Sequence, residues 1–150
     1  CAQALYRGQA LVAKDKRTQD FLLQAADEEI DHLAWCRERI KVLGGKTSLL
    51  DPLFYFMSAS LGTVTGLLGD KLSLGFVDET EKQVEQHLDS HLDKLPSADL
   101  PSRAIVQQMK IDEAEHAANA RAKGGASLPK ILKRAMSVMG KVMTTSTFRL

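Results

Sequence analysis

At 150 residues, with 44% apolar and 26% charged residues, the chain has the length of one domain that buries a core unaided, and its composition excludes disorder and collagen-like repeats. Aromatic residues at 5% argue against a β-sandwich or barrel, and the two cysteines, Cys1 and Cys36, form no CxxC motif and no disulfide framework, which suits a reducing compartment. The formal net charge of +1 hides an asymmetry, because all 19 acids precede Arg121 and only basic charges follow; a chain-wide nucleic-acid footprint is excluded, while the basic end suits phosphates or lipid headgroups.

Helical periodicity dominates and no stretch alternates as a strand would. A first helix covers Ala2 to about Lys14 and is expected to continue upstream of Cys1. No signal peptide is visible. A second helix runs from about Thr18 to Leu43 and stops at Gly44-Gly45. Asp51-Pro52 reads as the N-cap and first position of a third helix, and Pro52 to Gly69 carries no charge. That stretch reaches the threshold for a membrane span but is diluted by glycine, serine and threonine, so a buried or membrane-dipping helix is expected. Gly62, Gly66 and Gly69 would admit another backbone or a flat ligand, and both readings stay open. A fourth helix covers about Lys71 to Leu95, ended by Pro96. A fifth runs from Leu100-Pro101 to Gly124-Gly125, and Ser127 opens a short basic sixth helix from Leu128 to about Met143. Helices two, four and five, at roughly 24 to 27 residues, span about 36 to 40 Å, and their short connections predict an antiparallel bundle.

Two segments resemble each other: Glu28-Glu29-Ile30-Asp31-His32 and Asp112-Glu113-Ala114-Glu115-His116. Each holds Glu-x-x-His, whose ends share one helical face. On the second helix the apolar stripe Leu22, Ala25 is interrupted by Glu29 and His32 before Cys36, Ile40 and Leu43. On the fifth, Glu113 and His116 interrupt Ile105, Met109 and Ala120. On the fourth, Glu81 sits within Leu74, Val77, Val84, Leu88, Leu92 and Leu95. Glu79 shares a face with Gln83 and Gln86 and reads as solvated; Glu85 borders the stripe.

Three buried, unpartnered carboxylates would cost several kcal/mol each, a large share of a typical stability of about 5–15 kcal/mol. No Lys or Arg lies in the stripes at that depth, so the acids call for a shared cation. Carboxylates with imidazoles suit iron or manganese rather than zinc. A carboxylate-bridged dinuclear site takes one Glu from each of two helices and Glu-x-x-His from each of two others. One lone Glu is missing, and residues 1–20 contain none, so the sixth ligand is expected upstream of Cys1. Glu28, Asp31, Asp112 and Glu115 flank the ligands as candidates to hydrogen-bond the imidazoles, with solvated faces the plainer reading for Asp31 and Glu115. On the sixth helix Ile131, Leu132, Ala135, Met136, Met139, Val142 and Met143 gather on one side, with Lys130, Lys133, Arg134 and Lys141 beside them. That pattern suits a helix lying on an anionic bilayer, or one docked on its own bundle.

The segments Cys1–Gln9, Glu28–Cys36, Asp70–Val77, Asp112–His116 and Met143–Leu150 resemble the demethoxyubiquinone hydroxylases, most closely the bacterial members. The resemblance covers the whole chain and implies a single all-α, ferritin-like four-helix domain with an extra apolar helix, truncated within its first bundle helix. It implies a monooxygenase of ubiquinone biosynthesis that holds two iron ions, uses dioxygen as co-substrate and hydroxylates the ring of a polyprenylated demethoxyquinol. NADH or the quinol itself would supply electrons. Family ligands map onto Glu29, His32, Glu81, Glu113 and His116. His87 matches a position at the substrate side, against the plainer reading of an exposed helical histidine. The resemblance also implies a peripheral protein on the cytoplasmic face of the bacterial inner membrane. A homo-oligomer and contacts with other ubiquinone-biosynthesis proteins are further expectations, and no nucleic-acid partner is expected. The alternatives are a ferritin- or rubrerythrin-like iron store or peroxidase, and a di-iron hydroxylase acting on tRNA.

Overall fold

The computed structural model describes residues 1–149, so Leu150, the last residue of the C-terminal motif, lies outside it. Six helices follow in order, α1 (Ala2–Val12), α2 (Lys16–Val42), α3 (Asp51–Leu67), α4 (Asp70–Lys94), α5 (Leu100–Ala122) and α6 (Lys130–Arg149), with no strand among the described residues. This is the all-helical architecture of a ferritin-like bundle, with α3 as the crossover between α2 and α4. The punctuation is where the sequence places it. Gly44 and Gly124 follow helix ends at φ +72° and +94°, the left-handed conformation that L side chains rarely adopt. Asp15 caps α2 by accepting from the Arg17 backbone N–H, and Asp99 caps α5 by accepting from Ser102.

Two expectations need correction. Asp51 is the first helical residue of α3 rather than its cap; Leu50 takes that position and offers no side-chain bond. The sixth helix starts at Lys130 rather than Leu128, so Ser127 does not open it, and it runs on to Arg149, because nothing between Met143 and Arg149 breaks it.

The uncharged third helix is explained by its neighbour. α3 packs along α1 in parallel, with Leu5 against Gly62 and Gln9 against Gly66. A Cβ on Gly62 would overlap the Leu5 carbonyl oxygen, and one on Gly8 would overlap that of Ala59. The glycines of α1 and α3 therefore let two backbones approach closely, which leaves no room between them. The opposite face of α3 is exposed and apolar, with Leu53, Phe56, Met57, Val64, Leu67 and Leu68 facing outward. No helix among the described residues is long and apolar enough to cross a membrane.

The buried core unites Leu5, Tyr6 and Ala10 of α1, Phe21, Leu22 and Ala25 of α2, Leu74 and Val77 of α4 and Ala120 of α5. Asp70 ties the α1–α2 connection to α4 by accepting from the backbone N–H groups of Lys14 and Asp15. α6 docks on α4 through buried Met136 and an ion pair of 2.7 Å between Lys133 and Glu79. Glu79 is thus not solvated. It lies buried between α6 and its own neighbour Gln83, a partnership that the face it shares with Gln83 and Gln86 does not reveal. Most of the apolar side of α6, including Ile131, Val138 and Val142, stays exposed.

Candidate metal centre

Glu29, Glu81, Glu113 and His116 each bring one ligand atom within 4.8 Å of the others. They come from α2, α4 and α5, at the points where each apolar stripe is interrupted. His32 joins from α2, its Nδ1 3.4 Å from a Glu113 oxygen and 3.9 Å from Glu29. The other Glu113 oxygen lies 3.3 Å from His116 Nδ1, which is also 3.7 Å from Glu81. Glu113 therefore stands between two imidazoles whose Nδ1 atoms both face the cluster.

The outward nitrogens are held in a crossed pattern. His32 Nε2 on α2 meets Asp112 of α5 at 3.0 Å, and His116 Nε2 on α5 meets Glu28 of α2 at 2.6 Å. In each repeat the acid before the inner Glu orients the other helix's histidine, which fixes both rings with Nδ1 inward. Asp31 and Glu115 are exposed and orient neither ring. His87 is exposed and pairs with His91 instead, Nε2 to Nε2 at 3.0 Å. Tyr6 is a participant that pattern reading missed: fully buried on α1, it donates its hydroxyl to Glu81. Its place on the inner stripe of α1, beside Leu5 and Gln9, was the available signal.

Burial pushes the Glu29 carboxyl up to about 7, with the nearby Glu113 charge adding to it, and burial likewise holds Glu81 well above the carboxylate range. Burial acts in the same direction on Glu113, yet the His116, His32 and Glu81 side chains beside it outweigh burial and draw this carboxyl down to about 2. Burial would lower both histidines. Contacts to Glu113 and Asp112 push His32 up to about 9 instead, and contacts to Glu113, Glu81 and Glu28 push His116 up to about 11. The signs define a pH dependence for the metal-free protein. Glu113 adds stability that is complete above the unfolded carboxyl value near 4.5 and is lost as pH falls through about 2. Raised Glu29 costs stability as pH rises from 4.5 through about 7, and the histidines' contribution, full below 6.5, is lost through about 9 and 11. The melting temperature of metal-free protein is expected to fall steadily from about pH 5 to about pH 9, and calorimetry across that range checks it; a rise would contradict the assignment.

The donor set passes a direct test of fit for a cation. Glu29 Oε1, His32 Nδ1 and Glu81 Oε2 are buried side-chain atoms without a hydrogen-bond partner, which buried polar atoms rarely are. They are carboxylate oxygens and an imidazole nitrogen, the donors that suit iron or manganese.

An all-helical bundle with two acid-Glu-x-x-His segments and a lone Glu converging inside it is a ferritin-like protein with a candidate metal centre. A sequence model of the ubiquinone biosynthesis protein COQ7 family matches residues 1–147. The chain belongs to that family. It is 56% identical to a relative from Francisella philomiragia over 149 residues, covering 99% of this chain and 71% of that protein. Relatives from Ectopseudomonas mendocina and Pseudomonas aeruginosa are 54% and 52% identical over the whole chain, which spans 70% of each. All three bear the name 3-demethoxyubiquinol 3-hydroxylase.

Proposed function

We propose that this protein hydroxylates the ring of a polyprenylated demethoxyquinol in ubiquinone biosynthesis, as an oxygen-dependent monooxygenase. The observation that carries the reading is the convergence of Glu29, Glu81, Glu113 and His116 on one buried point, in a chain more than half identical to hydroxylases of that name along its whole length. The shared name favours quinol hydroxylation over an iron store, a peroxidase or a tRNA hydroxylase.

Glu29, His32, Glu81, Glu113 and His116 would hold a pair of iron ions, which when bound supply the redox chemistry that activates dioxygen. Glu28 and Asp112 keep the imidazole Nδ1 atoms turned inward, and the Tyr6 hydroxyl holds one Glu81 oxygen in place. The closed core of Tyr6, Leu22, Leu74 and Val77 keeps water from one side of the site. Monooxygenation puts one oxygen atom on the ring and reduces the other to water, drawing an electron pair from NADH or from a quinol.

A peripheral place on the bacterial inner membrane, at its cytoplasmic face, fits the exposed apolar residues of α3 and α6 and the basic Lys130 and Arg134 nearby. A homo-oligomer or contacts with other ubiquinone-biosynthesis proteins would use the same faces. The test is the product. Reduced, iron-loaded full-length protein given a demethoxyquinol and labelled dioxygen is expected to release a quinol one oxygen heavier, with the label in the ring, as read by mass spectrometry. Iron uptake and peroxide turnover without an oxygenated quinone would overturn the reading.

A further inference from the structure

We propose that a polar cavity between α2 and α5 is the route by which a divalent cation enters the buried carboxylate–histidine cluster, with Glu115 and Glu28 as its successive carriers. The identity of that cation as iron rests on the hydroxylase reading above, whereas the route rests on the metal centre alone.

The destination is closed to solvent. Glu81, Glu113, His32 and His116 are all buried, yet Glu81 Oε2 and His32 Nδ1 have no hydrogen-bond partner. Such orphaned donors suit a cation, and a cation has to reach them through the wall of the bundle. Towards α1 and α4 that wall is Tyr6, Leu74 and Val77, packed core that leaves no passage for a hydrated ion. Between α2 and α5 the wall is the pair of Glu28 and His116, and a cavity of about 390 Å³ meets it there.

The cavity lies in the half of the bundle where all four long helices run together. At this level α1 is tied to α4 by Tyr6 on Glu81 and by Gln9 donating to the Ser73 carbonyl. Neither α1 nor α4 lines the cavity, whose walls are the first half of α2 and the last turns of α5. Six waters at about 30 Å³ each surround an octahedral ion, so roughly 200 Å³ holds one hydrated divalent cation. The cavity has that room.

Its charge changes sign along its length. The inner end carries Glu28 and Glu115 beside His116, and the outer end carries Arg17 and Lys123, the latter 5.5 Å over the Phe21 ring. Lys123 stands about 10 Å from His116 along α5, and Arg17 about 16 Å from Glu28 along α2, at 1.5 Å per residue. Both distances exceed the Debye length of about 8 Å at physiological ionic strength, so the two carboxylates set the potential at the inner end. Asp20, also in the lining, is already paired with Lys16 at 2.6 Å.

Glu28 spans the wall. Its side chain is 42% exposed, with one oxygen 2.6 Å from His116 Nε2 and the other accepting from Gln24 at 3.0 Å. One carboxylate thus touches solvent and the metal centre at once, and rotation about its side-chain bonds releases His116 and opens the wall. Glu115 is exposed and orients neither histidine, so its carboxylate is left to meet the ion first. The companion pair of Asp112 and His32 does not line the cavity, so the wall opens at one imidazole while the other stays held.

The rate of metal entry into full-length, metal-free protein tests the route. Cobalt(II) chloride is mixed in at low ionic strength, and the visible absorbance of the bound ion is followed by stopped flow. Glu115→Lys is expected to slow filling by about tenfold, the low end of electrostatic steering, with the final cobalt content unchanged. Added salt should shrink that difference. Asn119→Trp, at an exposed position in the lining, is expected to slow filling several-fold at every salt concentration by occupying the space. Glu38→Lys makes the same change in net charge away from the cavity and is expected to fill at the wild-type rate. Wild-type rates in both Glu115→Lys and Asn119→Trp overturn the proposal, as does equal slowing in Glu38→Lys. Wild-type protein that takes up no cobalt removes the metal centre and the route together. The expected cobalt rates in a protein that makes no hydroxylated quinol when loaded with iron sink the hydroxylase reading alone and uphold the route.

Discussion

Replacing Gly62 by leucine is expected to destabilise the protein by at least about 3 kcal/mol, at or beyond the upper end of ordinary overpacking. A Cβ on Gly62 would meet backbone atoms of Leu5, and backbone on a packed helix cannot rotate away as a side chain can. Against a total stability of about 5–15 kcal/mol, such a loss is enough to leave much of the chain unfolded when stability sits at the low end. Gly66→Ala should be milder, since its Cβ would meet the movable Val12 side chain as well as the Gln9 carbonyl at 3.0 Å. Gly140→Ala meets nothing within 4 Å and is expected to be neutral or stabilising by about 0.5–1 kcal/mol, the helix-propensity difference. Urea unfolding of the three variants checks the order. A folded Gly62→Leu protein of wild-type stability would show that α1 and α3 do not pack in this register. Because the glycine face is filled by α1, the same substitution should lower iron content and turnover together, rather than obstruct a quinol selectively.

Glu113→Ala is expected to abolish metal binding and hydroxylation, because this carboxylate stands between His32 and His116 and, among the described residues, no other side chain reaches both Nδ1 atoms at similar distances. Its effect on the metal-free fold should differ in sign from that of the other acids. Glu113 faces two imidazoles that draw its carboxyl down to about 2, so its removal leaves both without their shared counter-charge and destabilises the metal-free protein at neutral pH, by about 1–3 kcal/mol for a lost charged hydrogen-bond partner. Burial raises the Glu81 carboxyl well above its ordinary range, so Glu81→Gln, a neutral group of the same shape, should leave the metal-free bundle as stable or more so. Metal analysis, with thermal melts in the presence of a chelator, separates these outcomes. Full iron content in Glu113→Ala would remove it from the site, and a large loss of metal-free stability in Glu81→Gln would reverse the electrostatic account.

The helices and the inner acids were legible in the sequence because both follow from single-helix rules. Stripes repeating every 3.6 residues, broken by Gly44-Gly45, Pro96 and Gly124-Gly125, delimit long helices whatever they pack against. Glu29, Glu81 and Glu113 stood out because a carboxylate at a core position has few inexpensive explanations. What those rules could not supply was the partner of each face. The crossed pairs of Glu28 with His116 and of Asp112 with His32 depend on the register of α2 against α5. The Tyr6 hydroxyl on Glu81 depends on α1 lying over α4. Glu79 looked solvated on its own helix and is buried only because α6 returns to bring Lys133 against it.

The glycines show the division most plainly. Their spacing on α3 determined that something approaches closely, since only a missing Cβ leaves that room. Whether a ligand or a second backbone takes the room is a question of which helix lies opposite, and the packing of α1 along Gly62 and Gly66 answered it. The sequence by itself thus determined the helices, their inward faces and the inner acids, because periodicity and the cost of burying charge act within one helix. Tertiary structure decided the partners, because a contact across two helices depends on their relative register and approach, which neither helix encodes alone.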